Sequence, residues 1–167
     1  MPVIKKVLRN RSATIGLVII VVYLVLFVMG AFSITPFPPN EQHPKAADRL
    51  QPPGMTYVMG TDQFGRDVLS RVIRGTVYSL RVVFISVAIA AVLGTLLGIV
   101  SGFVGGLVDT LLMRILDIFF AFPAILLALA VISAVGPGPY NVIPAIAVVY
   151  TPIFARVARA PVLSIRS

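Results

Sequence analysis

At 167 residues, with 58% hydrophobic and 12% charged side chains and a formal charge of +8, the chain falls well below the roughly 25% charged fraction of a soluble domain. Its basic residues gather where apolar runs end instead of forming a stripe between stacking aromatics, which argues against a nucleic-acid partner. With no cysteine there is no disulfide framework, thiol nucleophile or cysteine-type zinc cluster.

Three uncharged apolar runs, residues 12–40, 82–108 and 118–155, suit bilayer hydrocarbon better than a soluble core, whose helices interleave polar positions every turn. The expected fold is all-α, a polytopic transmembrane helical protein with four spans. Residues 1–13 are a basic tail carrying Lys5, Lys6, Arg9 and Arg11. The first span covers 14–34, and its length of about 20 apolar residues exceeds the roughly 7 to 15 of a signal-peptide core. A retained anchor is therefore favoured over cleavage near the small residues Gly30, Ala31 and Ser33.

Residues 35–81 read as an extramembrane loop. Pro36, Pro38, Pro39, Pro52, Pro53 and Gly54 cannot propagate a helix and make an extended spacer, in which the lone His43 is read as inert and not as a metal ligand. From 62 to 75 the pattern becomes that of an amphipathic helix along the interface. Phe64, Val68, Leu69, Val72 and Ile73 share one face, with Arg66, Asp67, Ser70, Arg71 and Arg74 opposite. Thr61 or Asp62 is the expected cap, and Asp62 with Arg66 and Asp67 with Arg71 are acid-before-base pairs at i, i+4.

The second span, 82–104, leads into Gly94, Gly98, Gly102 and Gly106, a four-step ladder on which two backbones can meet. The helix docked there belongs either to this chain or to a partner subunit. Residues 105–114 form a short loop. Arg114 and Asp117, three apart, are expected to pair and fix the start of span three beside Asp109, with substrate passage or partner docking as the alternative. The run 118–155 is too long for one crossing of about 30 Å, so the turn residues at 136–140 divide it into spans 115–135 and 141–160. Pro123, Pro144 and Pro152 are candidate kinks that serve either packing or a translocation path. Arg156 and Arg159 are expected to snorkel to the interface, and residues 161–167 form the final segment.

The Lys and Arg bias places the N-terminus in the cytoplasm. Lys5, Lys6, Arg9, Arg11, Arg114, Arg156, Arg159 and Arg166 then lie inside, and Lys45, Arg49, Arg66, Arg71, Arg74 and Arg81 lie in an outer loop balanced by Glu41, Asp48, Asp62 and Asp67. The sequence contains no phosphate loop of the GxxxxGK[ST] type, no HExxH and no GxSxG. The reading is of a transport protein and not an enzyme. It carries no catalytic, cofactor or metal residues, and any ATP would be hydrolysed by another chain.

The stretch Met59-Gly60-Thr61-Asp62-Gln63-Phe64-Gly65-Arg66-Asp67-Val68-Leu69-Ser70-Arg71, followed by Gly75 and Ser79-Leu80-Arg81, closely resembles the GTDxxGRDxxSR signature of dipeptide, oligopeptide and nickel ABC importer permeases, C-type subunit. The similarity continues through the glycine ladder, Asp109, Met113 to Asp117, Phe122-Pro123 and Ala155 to Ala160. The resemblance implies a type I importer permease, normally of six spans, in the prokaryotic plasma membrane. Its partners would be a second permease subunit, two cytoplasmic ATPases and an extracytoplasmic peptide-binding protein that docks at the outer loop. Members normally continue past span four into an EAA-type loop that seats in the ATPase. This sequence stops short of it, so the expectation is a permease fragment, or alternatively a non-transporting remnant or membrane assembly protein.

Overall fold

The computed structural model describes residues 9–40 and 49–166. The readings placed on Lys5, Lys6, Glu41, His43, Lys45 and Asp48 lie outside the described residues. Among the described residues five helices follow one another: α1 Arg11–Ala31, α2 Val68–Val104, α3 Gly106–Ala121, α4 Ala124–Val135 and α5 Val142–Arg166. The chain divides into two compact units, Met1–Leu80 and Arg81–Ser167, with α2 running through the boundary.

In the first unit α1 starts earlier than the hydropathy pattern suggests. The Asn10 side chain accepts from the backbone N–H of Ser12 and Ala13 at 3.0 and 3.3 Å, which satisfies two of the donors a helix start leaves over. The helix ends at Ala31 and not Ile34. Ser33 takes a left-handed φ of 56°, and the N–H groups of Ser33 and Ile34 turn back to the carbonyls of Gly30 and Met29 in a Schellman closure. Within α1 only Gly30 is buried. A Cβ there would stand 2.6 Å from the Ile73 carbonyl oxygen, so the end of α1 lies backbone-close to the start of α2. The rest of α1 is apolar surface for lipid.

The expected interfacial helix over 62–75 and the second span are one helix. α2 is 37 residues long, about 55 Å at 1.5 Å per residue, against a hydrocarbon thickness of about 30 Å. No proline or further glycine after Gly75 interrupts it before Gly94. It begins only at Val68 because the Asp62 side chain bonds the N–H of Phe64 and Arg66 and holds residues 62–66 in a turn. The buried face also differs from the expected one. Asp67, Ser70, Ile73 and Val77 are buried, while Phe64 and Val72 are exposed.

In the second unit α2 packs on α5. A Cβ on Gly94 would approach the Thr151 oxygen to 2.5 Å, one on Gly98 the Ala155 oxygen to 2.3 Å, and one on Gly102 the Val162 Cβ to 3.0 Å. Ser86 and Ala90, each fully buried, extend this face at the same four-residue step. Gly106 does not belong to it. A Cβ placed there would meet nothing within 4 Å, and the residue starts α3 with a φ of 55°.

The residue numbers rise together on α2 and α5, so the two helices run parallel, and the chain between them must return across the layer. α4, at 12 residues, is about 18 Å long and cannot do this alone. α3 and α4 together form a broken crossing, bent by 96°. The span expected over 115–135 is thus not straight. Phe122 is extended, as a residue before proline tends to be, and Pro123 caps α4. Among the described residues three helices are long and apolar enough to cross a membrane, or four when the bent pair is counted as one span.

Gly136 to Tyr140 turn α4 back onto α5, and the Asn141 side-chain amide donates to the Gly136 carbonyl at 3.0 Å. Pro144 sits in the first turn of α5, where no intrahelical bond is lost, so it is no kink site. Pro152 is buried inside a helix that continues to Arg166, beyond the expected end at 160.

Candidate functional site

In the first unit the residues from Gly60 to Arg71 form a polar knot. Thr61 and Asp67 make an antiparallel bridge. Thr61 also pairs with Gln51, donating its N–H to the Gln51 carbonyl at 3.1 Å and accepting the Gln51 N–H on Oγ1 at 2.9 Å. A Cβ on Gly60 would stand 2.3 Å from that Gln51 oxygen, so the crossing strand requires a glycine. Gly65 turns the loop with a φ of 74°.

Asp62 is the hub of the knot. It accepts from the N–H of Phe64 and Arg66 at 2.8 and 3.0 Å, from Arg66 Nε at 2.8 Å and from Arg71. Burial pushes its carboxyl upward. The backbone donors of Arg66 and Phe64 and the Arg66 guanidinium outweigh that push and hold the pKa at about 2, below the ordinary 3.8. The expected Asp62–Arg66 pair is present. The expected Asp67–Arg71 pair is not, since Arg71 binds Asp62 instead. Asp67 is the cap of α2, accepting from Ser70 N–H at 2.8 Å and Ser70 Oγ at 2.6 Å. Thr61 and Asp62 therefore do not cap it. Ser70 Oγ in turn accepts the N–H of Phe37 at 3.0 Å, and the Phe37 ring lies 5.0 Å from that of Tyr57. Phe37, Gln51 and Tyr57 carry no sequence signal of this role, because only a fold shows what the knot ties down.

In the second unit the charges beside α3 pair differently from expectation. Asp109 accepts from Arg159 Nε at 2.6 Å and from Ser101 Oγ, which joins α2, α3 and α5 at one carboxylate. Asp117 pairs with Arg156, whose guanidinium lies 3.9 Å from the centre of the Phe120 ring. Arg156 and Arg159 are therefore paired and do not simply snorkel. Arg114 is exposed and makes no ion pair among the described residues, so the expected Arg114–Asp117 bridge is absent. A cavity of about 250 Å³ is lined by mainly apolar side chains of α2, α3 and α5, with Thr151 among them. Among the described residues no group of three or more His, Cys, Asp or Glu could hold a metal ion. What these arrangements offer is tethering of helices to one another.

Residues 3–53 match the family model for the N-terminal transmembrane domain of oligopeptide transport permease C. The dipeptide transport system permease protein DppC of Alkalihalophilus pseudofirmus is 40% identical over 162 residues, 97% of this chain and 52% of the relative. The protein of the same name in Haemophilus influenzae is 40% identical over 93% of this chain and 54% of its own length. Along nearly its whole length the chain is thus similar to peptide transport permease proteins. A putative peptide transport system permease protein of Brucella abortus is 39% identical over 97% of this chain and 53% of its own length. The chain spans about half the length of the curated relatives it matches. The stretch Gly60 to Arg71, which carries the resemblance to peptide importer permeases, coincides with the knot.

Proposed function

We propose that the chain is the N-terminal membrane part of the C-type permease subunit of an ATP-dependent importer for dipeptides or oligopeptides, and that it forms part of the translocation path. Carrying the reading is the alignment at 40% identity along 97% of the chain with a dipeptide permease subunit. The protein sits in a prokaryotic plasma membrane with its N-terminus in the cytoplasm, as the Lys and Arg distribution favours. The knot of residues 49–71 then faces outside, where a peptide-binding protein docks. A second permease subunit completes the pore. Separate cytoplasmic subunits hydrolyse ATP, and this chain binds no cofactor of its own.

Uptake of a labelled dipeptide in a bacterial strain lacking its C-type dipeptide permease subunit tests this. The chain is expressed alone and together with a separately encoded C-terminal half of that subunit. Restored uptake in either arm is the expected result. Correct membrane insertion with no uptake in both arms overturns it and favours a membrane assembly role. For the knot, deletion of residues 36–75 is expected to abolish association with the binding protein; retained association would overturn that assignment.

A further inference from the structure

α3 has a break at each end. Gly105 and Gly106 start it with left-handed φ values of 69° and 55°, and Phe122-Pro123 ends it at the 96° bend. Gly105 still donates to the Ser101 carbonyl and accepts from the Asp109 N–H, but the positive φ of both glycines turns the path at the first junction and Pro123 has no N–H to donate at the second, so each can absorb a change of direction. Between these points the two faces of α3 are held in different ways. The apolar face, with Leu112, Ile115, Leu116 and Phe119, borders the cavity of about 250 Å³ against α2 and α5, so its packing is incomplete and rests chiefly on the buried Leu116. The polar face is held by two acid–base pairs, Asp109–Arg159 with Ser101 and Asp117–Arg156. By contrast, α2 and α5 touch closely along the glycines of α2 and have no room to shift apart without losing that fit.

The two pairs differ in cover: the Asp117 and Arg156 side chains are 56% and 48% exposed and open at the surface of the unit, whereas Arg159 and Asp109 are 31% and 15% exposed, so the inner pair is the stronger catch. We propose that α3 is a moving segment, latched to α5 by Asp109–Arg159 and Asp117–Arg156, which swings about Gly105-Gly106 and Phe122-Pro123 when the two pairs open. The α2–α5 pair is the fixed frame against which it moves.

The absence of native cysteine makes the movement measurable by paired spin labels in lipid nanodiscs, independently of transport. Leu111→Cys on α3 with Val157→Cys on α5 reports the latch, and Val92→Cys with Ile153→Cys reports the frame; all four positions are exposed. Each pair is measured in the native background, in Asp109→Asn with Asp117→Asn, and in the exchange Asp109→Arg with Arg159→Asp. The expected result is one narrow latch distance in the native background. Neutralisation should add a second distance displaced by about 5 Å or more, one helical turn, with the frame distance unchanged, and the exchange should restore the narrow distribution. A latch distribution unmoved by neutralisation overturns the proposal. So does a frame distance that broadens with it, which would make the pairs general supports of the fold, or an exchange that fails to restore the native distance.

Discussion

Asp62 and Asp109 each draw several donors onto one carboxylate, but the donors come from very different sequence distances. Every partner of Asp62 lies within nine residues: the backbone of Phe64 and Arg66 and the side chains of Arg66 and Arg71. Asp109 is bonded to Ser101, eight residues behind it, and to Arg159, fifty ahead. A carboxylate satisfied by its own turn is satisfied once that turn forms. One that depends on Arg159 is satisfied only after α2, α3 and α5 have docked. The Asp62 turn at the centre of the knot is thus a local structure, and the Asp109 cluster is a reporter of helix assembly.

The largest expected effect breaks the assembly and leaves the knot. Gly98→Leu puts a side chain where a Cβ alone would lie 2.3 Å from the Ala155 carbonyl. We expect a loss of about 3 kcal/mol, read as a lowered unfolding midpoint in detergent, while amide exchange in residues 49–67 stays slow. Gly16→Leu, at a position with nothing within 4 Å, should leave the midpoint within about 0.5 kcal/mol of native. Next in size is Asp109→Ala, which leaves Arg159 and Ser101 without their acceptor and should cost about 2 kcal/mol. In a double-mutant cycle with Arg159→Ala, the paired variant should lose less than the sum of the two single losses.

This contrast also explains what is legible in the sequence. The apolar runs announce membrane helices, because solvent matching depends on composition alone. Gly94, Gly98 and Gly102 announce a close approach, because a four-residue step keeps them on one face. The identity of the docked helix stays open, because nothing local in Gly98 encodes Ala155. The same step brings in Ser86 and Ala90 once serine and alanine are counted beside glycine, and raises doubt about Gly106, which follows a second glycine. Arg114 and Asp117 look like partners because three-residue spacing favours contact, yet Arg156, brought alongside by the return of the chain, is the partner of Asp117. Likewise Thr61 and Asp62 are reasonable caps by residue type. The Asp62 side chain is committed to its own turn, and Asp67 is the next residue able to serve.

Within the knot, Asp67→Ala should cost about 1 kcal/mol, the usual worth of a side-chain cap. Hydrogen exchange would show it as faster amides at Val68 to Arg71, with no change near Asp109. A local pH response should follow from Asp62. Its folded pKa of about 2 lies below the ordinary 3.8, so its contribution is fully present above pH 3.8 and is lost as pH falls through the folded value. Limited proteolysis of the 49–67 loop should therefore be flat from neutral pH down to 3.8 and accelerate below that, and Asp62→Asn should be susceptible throughout.

The smallest expected effect separates the two ion pairs beside α3. Asp117–Arg156 is about half exposed on both sides, whereas the Asp109 side chain is 15% exposed and is shared with Ser101. Water already solvates much of the Asp117 pair, so Asp117→Asn alone should change the unfolding midpoint by no more than about 0.5 kcal/mol. A shift as large as that of Asp109→Ala would mean that Asp117 holds α3 to α5 as strongly as the three-helix cluster does. The stacking of Arg156 on Phe120 limits what Asp117 alone can contribute, since the guanidinium keeps its place over the ring when the carboxylate is neutralised.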